Sequence, residues 1–272
     1  MNSGFHCTYP CLKVGQNEVR KYSRDTNLGA RLTLAVRLTP PWTSRKLFGV
    51  SATEILQKVP LFSQLSPADL QRVVEVARDR AYPKNSVILF EDDPGDALYV
   101  VAKGQVKVVL IGEDGREVIL SVLGEGEFFG EMALIDDEPR SAHVIAMEDS
   151  TLYVLRREDF QGILEHAPGI GLALLRELSR RLRRVDEKVG SLVLLDVHGR
   201  VAQLLLDLAD ETDGQRITRR LTHHTIAQMI GSSRETVSRT MRELVDKGMI
   251  DVSRKDIVIK DRGSLEQAAG RS

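Results

Sequence analysis

Between Leu175 and Leu192 six apolar residues recur at alternating intervals of three and four: Leu175, Leu178, Leu182, Val185, Val189 and Leu192. On a helix this spacing draws a narrow, straight stripe, the a/d seam of a coiled coil, whereas a helix lying on its own domain needs a broader apolar face. The segment from about Gly169 to Leu195 is therefore predicted as one long helix that dimerises with a second copy of the chain. Packing of that helix on its own domain is the alternative. Arg180, Arg181, Arg183, Arg184, Glu187 and Lys188 flank the stripe and are expected to form a solvated exterior.

The seam divides the 272 residues into dissimilar parts. Residues 1–46 carry 8 basic and 2 acidic side chains and the Pro40-Pro41 pair, with no sustained periodicity beyond a short amphipathic stretch from Leu28 to Leu38. They read as a flexible basic segment. Residues 47–168 carry 22 acidic and 11 basic side chains. After helices from Ser51 to Lys58 and from Pro67 to about Ala77, the latter capped by Ser66, this part breaks into short β-type runs. These are Val87–Phe90, Ala97–Val101, Gln105–Ile111, Glu117–Leu123, Ala142–Met147 and Thr151–Leu155, separated by turns such as Asp93-Pro94-Gly95 and Gly124-Glu125-Gly126. Short strands with glycine turns point to an antiparallel sandwich or barrel. An acidic body repels nucleic acid, so any duplex contact is expected in the C-terminal part.

After a break at Asp196 to Gly199, helix is expected from Arg200 to about Ala209, and residues 196–262 then hold a helix-turn-helix. Thr222 caps a short stretch, His223 to Ile230. Gly231 ends it as a residue free to take positive φ, and Ser232-Ser233 caps a second helix from Arg234 to about Lys247. Ile226, Ile230, Val237, Met241 and Leu244 suit its small core. The first residues of such a second helix enter a major groove. Arg234, Glu235, Ser238 and Arg239 share one side of it, arginine being matched to guanine and glutamate to cytosine. Thr222, Ser233 and Thr236 sit where phosphates are held. Met249–Asp251 and Ile257–Ile259 read as a hairpin wing with Arg254 and Lys255 at its tip, and residues 263–272 as a polar tail.

Several separate motifs, in order over roughly residues 54–262, resemble the cyclic AMP receptor/fumarate-nitrate regulator (CRP/FNR) family. They are Asp96-Ala-Leu-Tyr-Val-Val-Ala-Lys-Gly104-Gln-Val106, Phe129-Gly-Glu-Met-Ala-Leu134 with Pro139-Arg-Ser-Ala142, Leu195-Asp-Val-His-Gly-Arg200 and Gly231-Ser-Ser-Arg-Glu-Thr-Val237. The resemblance implies an α+β architecture: an N-terminal cyclic-nucleotide-binding β-roll (a jelly roll) at 47–168, a dimerisation helix at 169–195 and a C-terminal winged helix-turn-helix. It also implies a homodimeric, cytoplasmic transcription regulator on palindromic double-stranded DNA, with TGTGA-like half-sites and RNA polymerase as partner. Gly130, Glu131, Met132, Arg140, Ser141 and Ala142 match the family's phosphate-binding cassette. There Arg140 and Ser141 would meet a phosphate, Glu131 a ribose hydroxyl, and small Gly130 and Ala142 would let the ligand approach. Val185 and Asp186 stand where relatives responding to cyclic AMP present hydroxyl side chains to the base. That departure leaves the ligand open among cyclic AMP, cyclic GMP, cyclic di-GMP and none, the last if Arg140 pairs instead with Asp136, Asp137 or Glu138.

Other chemistries find less support. The two cysteines, Cys7 and Cys11, make no disulfide framework and cannot supply the four thiolates of an iron–sulfur cluster. With His6 they lack a fourth zinc ligand, so no metal is expected. His143, on a strand, reads as structural rather than as a haem ligand. Neither a nucleophile–base motif nor His-Glu-x-x-His occurs, so no enzyme is expected. Apolar runs stay short of a membrane span. A regulatory subunit controlling an enzyme through a bound nucleotide is the reading from a different class, opposed by the helix-turn-helix.

Overall fold

The computed structural model describes residues 46–47, 50–218, 221–253 and 256–271. Of the basic segment only Lys46 is described; Leu28–Leu38, Cys7 and Cys11, and the wing-tip pair Arg254-Lys255, lie outside the described residues. A two-residue antiparallel pair, β1 (Lys46–Leu47) and β2 (Val50–Ser51), leads into α1 (Ala52–Lys58). Proline at the first helical position and a capping serine set the start of α2 (Pro67–Val76), where Ser66 Oγ accepts the Asp69 N–H at 3.2 Å.

Two four-stranded antiparallel sheets follow. One has the order β3 (Arg78–Tyr82), β10 (Ser150–Arg156), β5 (Ala97–Lys103), β8 (Phe128–Phe129); the other has β4 (Val87–Leu89), β9 (His143–Ala146), β6 (Val106–Ile111), β7 (Glu117–Leu123). Side-chain alternation along β5 explains its unbroken apolar run. Ala97, Tyr99 and Val101 face the other sheet, among Val106, Leu123, Phe129 and Val144. Leu98, Val100 and Ala102 face helices, among Leu56, Phe62, Phe160 and Ile170. Between β8 and β9 the chain makes a single helical turn, α3 (Met132–Ile135). The polar β3 gave no alternation signal; it is a largely exposed edge strand held by pairing with β10.

After α4 (Arg157–His166) the long helix α5 spans Gly169–Leu194. Its N-terminal half is anchored: Ile170 and Leu174 are buried and Leu178 partly buried in the cluster formed with α1, α2 and α4. Two expectations need correction here. Leu178 packs on its own domain rather than standing free in the seam. Arg181 and Lys188 are not part of a solvated exterior, because both turn inward to the sheets.

The chain restarts earlier than expected. Asp196 accepts the Gly199 N–H at 2.8 Å and so caps α6 (Val197–Asp210), and helix begins at Val197 rather than Arg200. β11 (Arg216–Ile217), α7 (His223–Ile230), α8 (Arg234–Asp246), β12 (Ile250–Val252) and β13 (Ile257–Ile259) complete a winged helix-turn-helix, with sheet order β11-β13-β12. Ile226, Ile230, Val237, Met241 and Leu244 are all buried in its core with Leu205 and Leu206 of α6. Residues 263–272 are not simply a polar tail. Asp261 caps a further helix, α9 (Arg262–Ala268), whose Leu265 is fully buried in the same core. Burying that one side chain contributes about 1.5–3 kcal/mol. Arg271 closes the end by pairing with Asp207 and Asp210 of α6.

Candidate functional site

The cassette segment folds into a cradle against β5 and α5. Gly130 has φ +83°, and a side chain there would stand 2.7 Å from Arg140 Nη1 and 3.1 Å from the Ala97 carbonyl. Only glycine fits both the conformation and the space. Arg140, 4% exposed, donates from Nη1 to the Gly130 carbonyl at 2.7 Å and from Nη2 to the Ala97 carbonyl at 2.9 Å. Its guanidinium lies 5.9 Å from the Tyr99 ring centre and 3.6 Å from Asp96 Oδ1. Burial holds it below the usual arginine range. Its backbone is pinned to the β4–β5 loop by reciprocal bonds, Arg140 N–H to Asp93 and Asp92 N–H to Arg140.

Pairing of Arg140 with Asp136, Asp137 or Glu138 is not what the structure shows, because the ion pair to Asp137 comes from Arg157. Arg157 also donates to the Gly95 carbonyl at 2.8 Å and the Ala133 carbonyl at 2.7 Å, so it clamps the rim of the cradle. Ser141 and Met132 are exposed and 3.9 Å apart (Oγ to Sδ), and Ala142 is buried. α3 makes a single turn, so the ordered dipoles behind its N-terminus are few. His143 accepts the Glu91 N–H at 3.1 Å and faces its carboxylate.

Glu131 is the unusual member of the set. It is 2% exposed, and its Oε1 accepts from Arg181 Nη1 at 2.8 Å. Its Oε2, also buried, has no hydrogen-bond partner among the described residues. A buried carboxylate oxygen left without a donor is costly, and a donor from outside the chain would relieve that cost. Arg181 itself donates to the Phe128 carbonyl at 2.6 Å and lies 4.5 Å over the Phe128 ring. Arg181 is marked in the sequence only by its place: with Leu174 and Lys188 it repeats every seven residues beside the seam. Lys188 Nζ donates to the Ile119 carbonyl at 2.6 Å, and burial lowers its pKa.

The outer side of α5 contrasts with this. Leu175, Leu182, Val185, Val189 and Leu192 are 62%, 61%, 54%, 53% and 45% exposed, and Asp186 is exposed beside them. At the far end, Thr222 Oγ1 accepts the Thr225 N–H at 3.0 Å and Ser233 Oγ the Thr236 N–H at 3.1 Å, each capping its helix. Gly231, φ +64°, turns the chain between them. Arg234, Glu235 and Arg239 are exposed on α8, Ser238 and Thr236 half-buried. Leu221, Thr222, His223, His224 and Arg234 line a hollow of about 500 Å³.

The two halves of this arrangement define a class: a cyclic nucleotide-binding domain, whose family matches residues 79–167, followed by a Crp-like helix-turn-helix domain, matched at residues 199–268. The cyclic AMP receptor protein of Thermus thermophilus is 35% identical over 210 residues, 77% of this chain and 96% of that protein. A CRP-like cAMP-activated global transcriptional regulator of Mycobacterium tuberculosis is 32% identical over 221 residues, covering 79% and 99%. Among solved structures, the c-di-GMP-responsive global regulator of Xanthomonas campestris superposes with a TM-score of 0.63 at 28% identity, over 71% of this chain and 99% of its own. The chain belongs to the CRP/FNR family and is a DNA-binding transcription regulator. None of the helices among the described residues is long and apolar enough to cross a membrane.

Proposed function

We propose that the protein acts as a homodimer that reads a palindromic operator through paired α8 helices, with a cyclic nucleotide in the Glu131–Arg140 cradle setting its affinity for DNA. The observation that carries the nucleotide reading is the orphaned Glu131 Oε2. A ribose 2′-hydroxyl would donate to it, while Arg140 and Ser141 would face the cyclic phosphate, and Gly130, Met132 and Ala142 would form the floor and rim. The base would lie toward Val185 and Asp186 of α5. The exposed seam supports dimer formation, since five large apolar side chains in line exceed what a solvated helix keeps uncovered.

In the dimer, two-fold symmetry presents Arg234, Glu235, Ser238 and Arg239 to two half-sites about 34 Å apart, while Thr222, Ser233 and Thr236 lie along the phosphates. The half-site expected from the arginine–glutamate–arginine pattern is TGTGA-like. RNA polymerase is the expected downstream partner, in the cytoplasm. Nucleotide binding would act by population shift, favouring the α5 packing that spaces the two reading helices correctly.

A second reading has its own observation. Arg140 already satisfies both Nη atoms on carbonyls of this chain and is 4% exposed, as in a cradle kept only as scaffold. Calorimetric titration with cyclic AMP, cyclic GMP and cyclic di-GMP, repeated with operator bound, decides between them. Saturable heat from one nucleotide together with tighter operator binding is expected. Operator binding indifferent to all three would establish the ligand-independent regulator.

A further inference from the structure

Among the methionines of the described residues, Met132 stands apart. It is 48% exposed, whereas Met147, Met229 and Met249 are half-buried and Met241 is buried. The fold accounts for the contrast. α3 turns Ala133 and Leu134 into the interior. Its single turn leaves Met132 and Ile135 together on the outside. Met132 directly follows Glu131, whose buried Oε2 is unmet, and its Sδ receives the Ser141 Oγ hydroxyl at 3.9 Å. A thioether is a weak acceptor, so this contact leaves the serine proton free for a better one.

Of the side chains that form the cradle, the thioether is the one a peroxide oxidises. The sulfur lone pair attacks one peroxide oxygen, and the S–O bond forms as the O–O bond breaks. The departing hydroxide takes the proton of the transferred hydroxyl and leaves as water. Sulfur is oxidised by two electrons and the peroxide is reduced by two. The sulfoxide oxygen is a strong acceptor with partial negative charge, and a serine hydroxyl has a single proton to donate. Ser141 then donates to the sulfoxide, and that side of the cradle meets an anion with a negative dipole instead of a donor.

We propose that Met132 is a modification site through which peroxides close the cradle to its ligand: the sulfoxide takes the Ser141 hydroxyl from an anionic group, and a bound ligand in turn covers the sulfur. The proposal rests on the reading of the cradle as the cyclic-nucleotide site. Arg140 is left as it was, because both its Nη atoms remain on carbonyls of this chain. The loss is therefore that of one hydrogen bond to a charged group, roughly ten- to a hundredfold in affinity.

The test uses the full chain and calorimetric titration with cyclic AMP, cyclic GMP and cyclic di-GMP, before and after dilute hydrogen peroxide. Dithiothreitol follows the peroxide, so that disulfides and sulfenic acids at Cys7 and Cys11 are returned to thiols while methionine sulfoxide persists. Peptide mass spectrometry reads the oxygen gained at each methionine. Met132 should oxidise first, and saturating nucleotide should slow it several-fold. As it converts, the dissociation constant of the bound nucleotide should rise roughly ten- to a hundredfold, and methionine sulfoxide reductases should reverse the rise. Met132→Leu, compared with its own untreated form, should keep its affinity through the treatment. The proposal is overturned by full conversion of Met132 without loss of affinity, by an equal loss in Met132→Leu, by a Met132 that reacts no faster than Met147, or by a rate that nucleotide does not slow. In each of those cases nucleotide binding by the untreated chain keeps the reading of the cradle. An untreated chain that gives no heat with any of the nucleotides overturns that reading, and the proposal with it.

Discussion

Replacing Leu182 by glutamate separates the two roles of α5 most directly. Leu182 is 61% exposed in one chain, so most of its apolar surface is available to a partner. Full burial of a leucine is worth about 1.5–3 kcal/mol, and the exposed share scales this to about 1–2 kcal/mol per protomer. Two-fold symmetry doubles it to about 2–4 kcal/mol per dimer, a loosening of roughly thirty- to several-hundredfold in dissociation constant. Two carboxylates facing each other across the seam add to the loss. The fold of the single chain should be nearly indifferent, since nothing in it buries this side chain deeply. Leu178→Ala, only four residues away, should do the reverse. It removes a contact inside the sensor core and should lower the thermal midpoint while leaving association close to normal. Sedimentation velocity over a concentration series, paired with thermal melting of each variant, reads both quantities. A Leu182→Glu protein that sediments as the unsubstituted chain does, at every concentration, would refute the assignment of the seam to a second copy.

Four further outcomes are expected. Arg140→Ala should abolish calorimetric binding of cyclic nucleotides and, because it strips two carbonyls of buried donors, cost about 1–3 kcal/mol of sensor stability by denaturant melting. Arg234→Ala or Arg239→Ala should cost about 1–3 kcal/mol in operator affinity and relax preference at one base pair of each half-site, with equal losses on random DNA counting against base readout. Gly231→Ala places a side chain at φ +64° and should cost about 1–2 kcal/mol of stability through the left-handed backbone alone, since its new methyl meets Leu192 at an ordinary distance. Hydrogen bonds from the Ser264 side chain and backbone hold the Asp261 carboxyl below its ordinary range. The folded state thus binds this proton more weakly, so the stabilisation is complete above the ordinary carboxylate pKa and lost as pH falls through the lowered one. Asp261→Asn should then flatten the acid limb of a pH titration followed by circular dichroism.

What the sequence disclosed follows physical regularity. The caps Ser66, Thr222 and Ser233 and the glycine at 231 act through neighbours three or four residues away, so spacing alone locates them. β5 was legible because its apolar run marks a strand buried on both faces. The edge strand β3 and the terminal helix α9 were not. Their residues are largely polar, and what holds them is pairing with β10 or one buried leucine against α6. Glu131 and Arg140 were identifiable by motif, but not the division of labour between them. That Arg140 rests on two carbonyls while one oxygen of Glu131 goes unmet depends on a fold that brings Ala97, Gly130 and Arg181 together from distant parts of the chain.

The reading of α5 shows why a heptad pattern is an incomplete description of a helix. The stripe Leu175, Leu182, Val189 and its companions faces outward, and the adjacent stripe Leu174, Arg181, Lys188 faces the sheets at the same seven-residue interval. Charged residues on the second stripe look like ordinary coiled-coil flanks, yet two of them reach buried carbonyls. Since neighbouring residues on a helix differ by about 100°, Arg181 and Leu182 belong to different faces while sharing a backbone unit. Whatever meets Glu131 Oε2 also acts on the carboxylate that holds Arg181, and a rotation of α5 that adjusts Arg181 must turn Leu182 with it. On the proposed reading, communication between cradle and seam would require no long chain of contacts, because α5 carries both stripes.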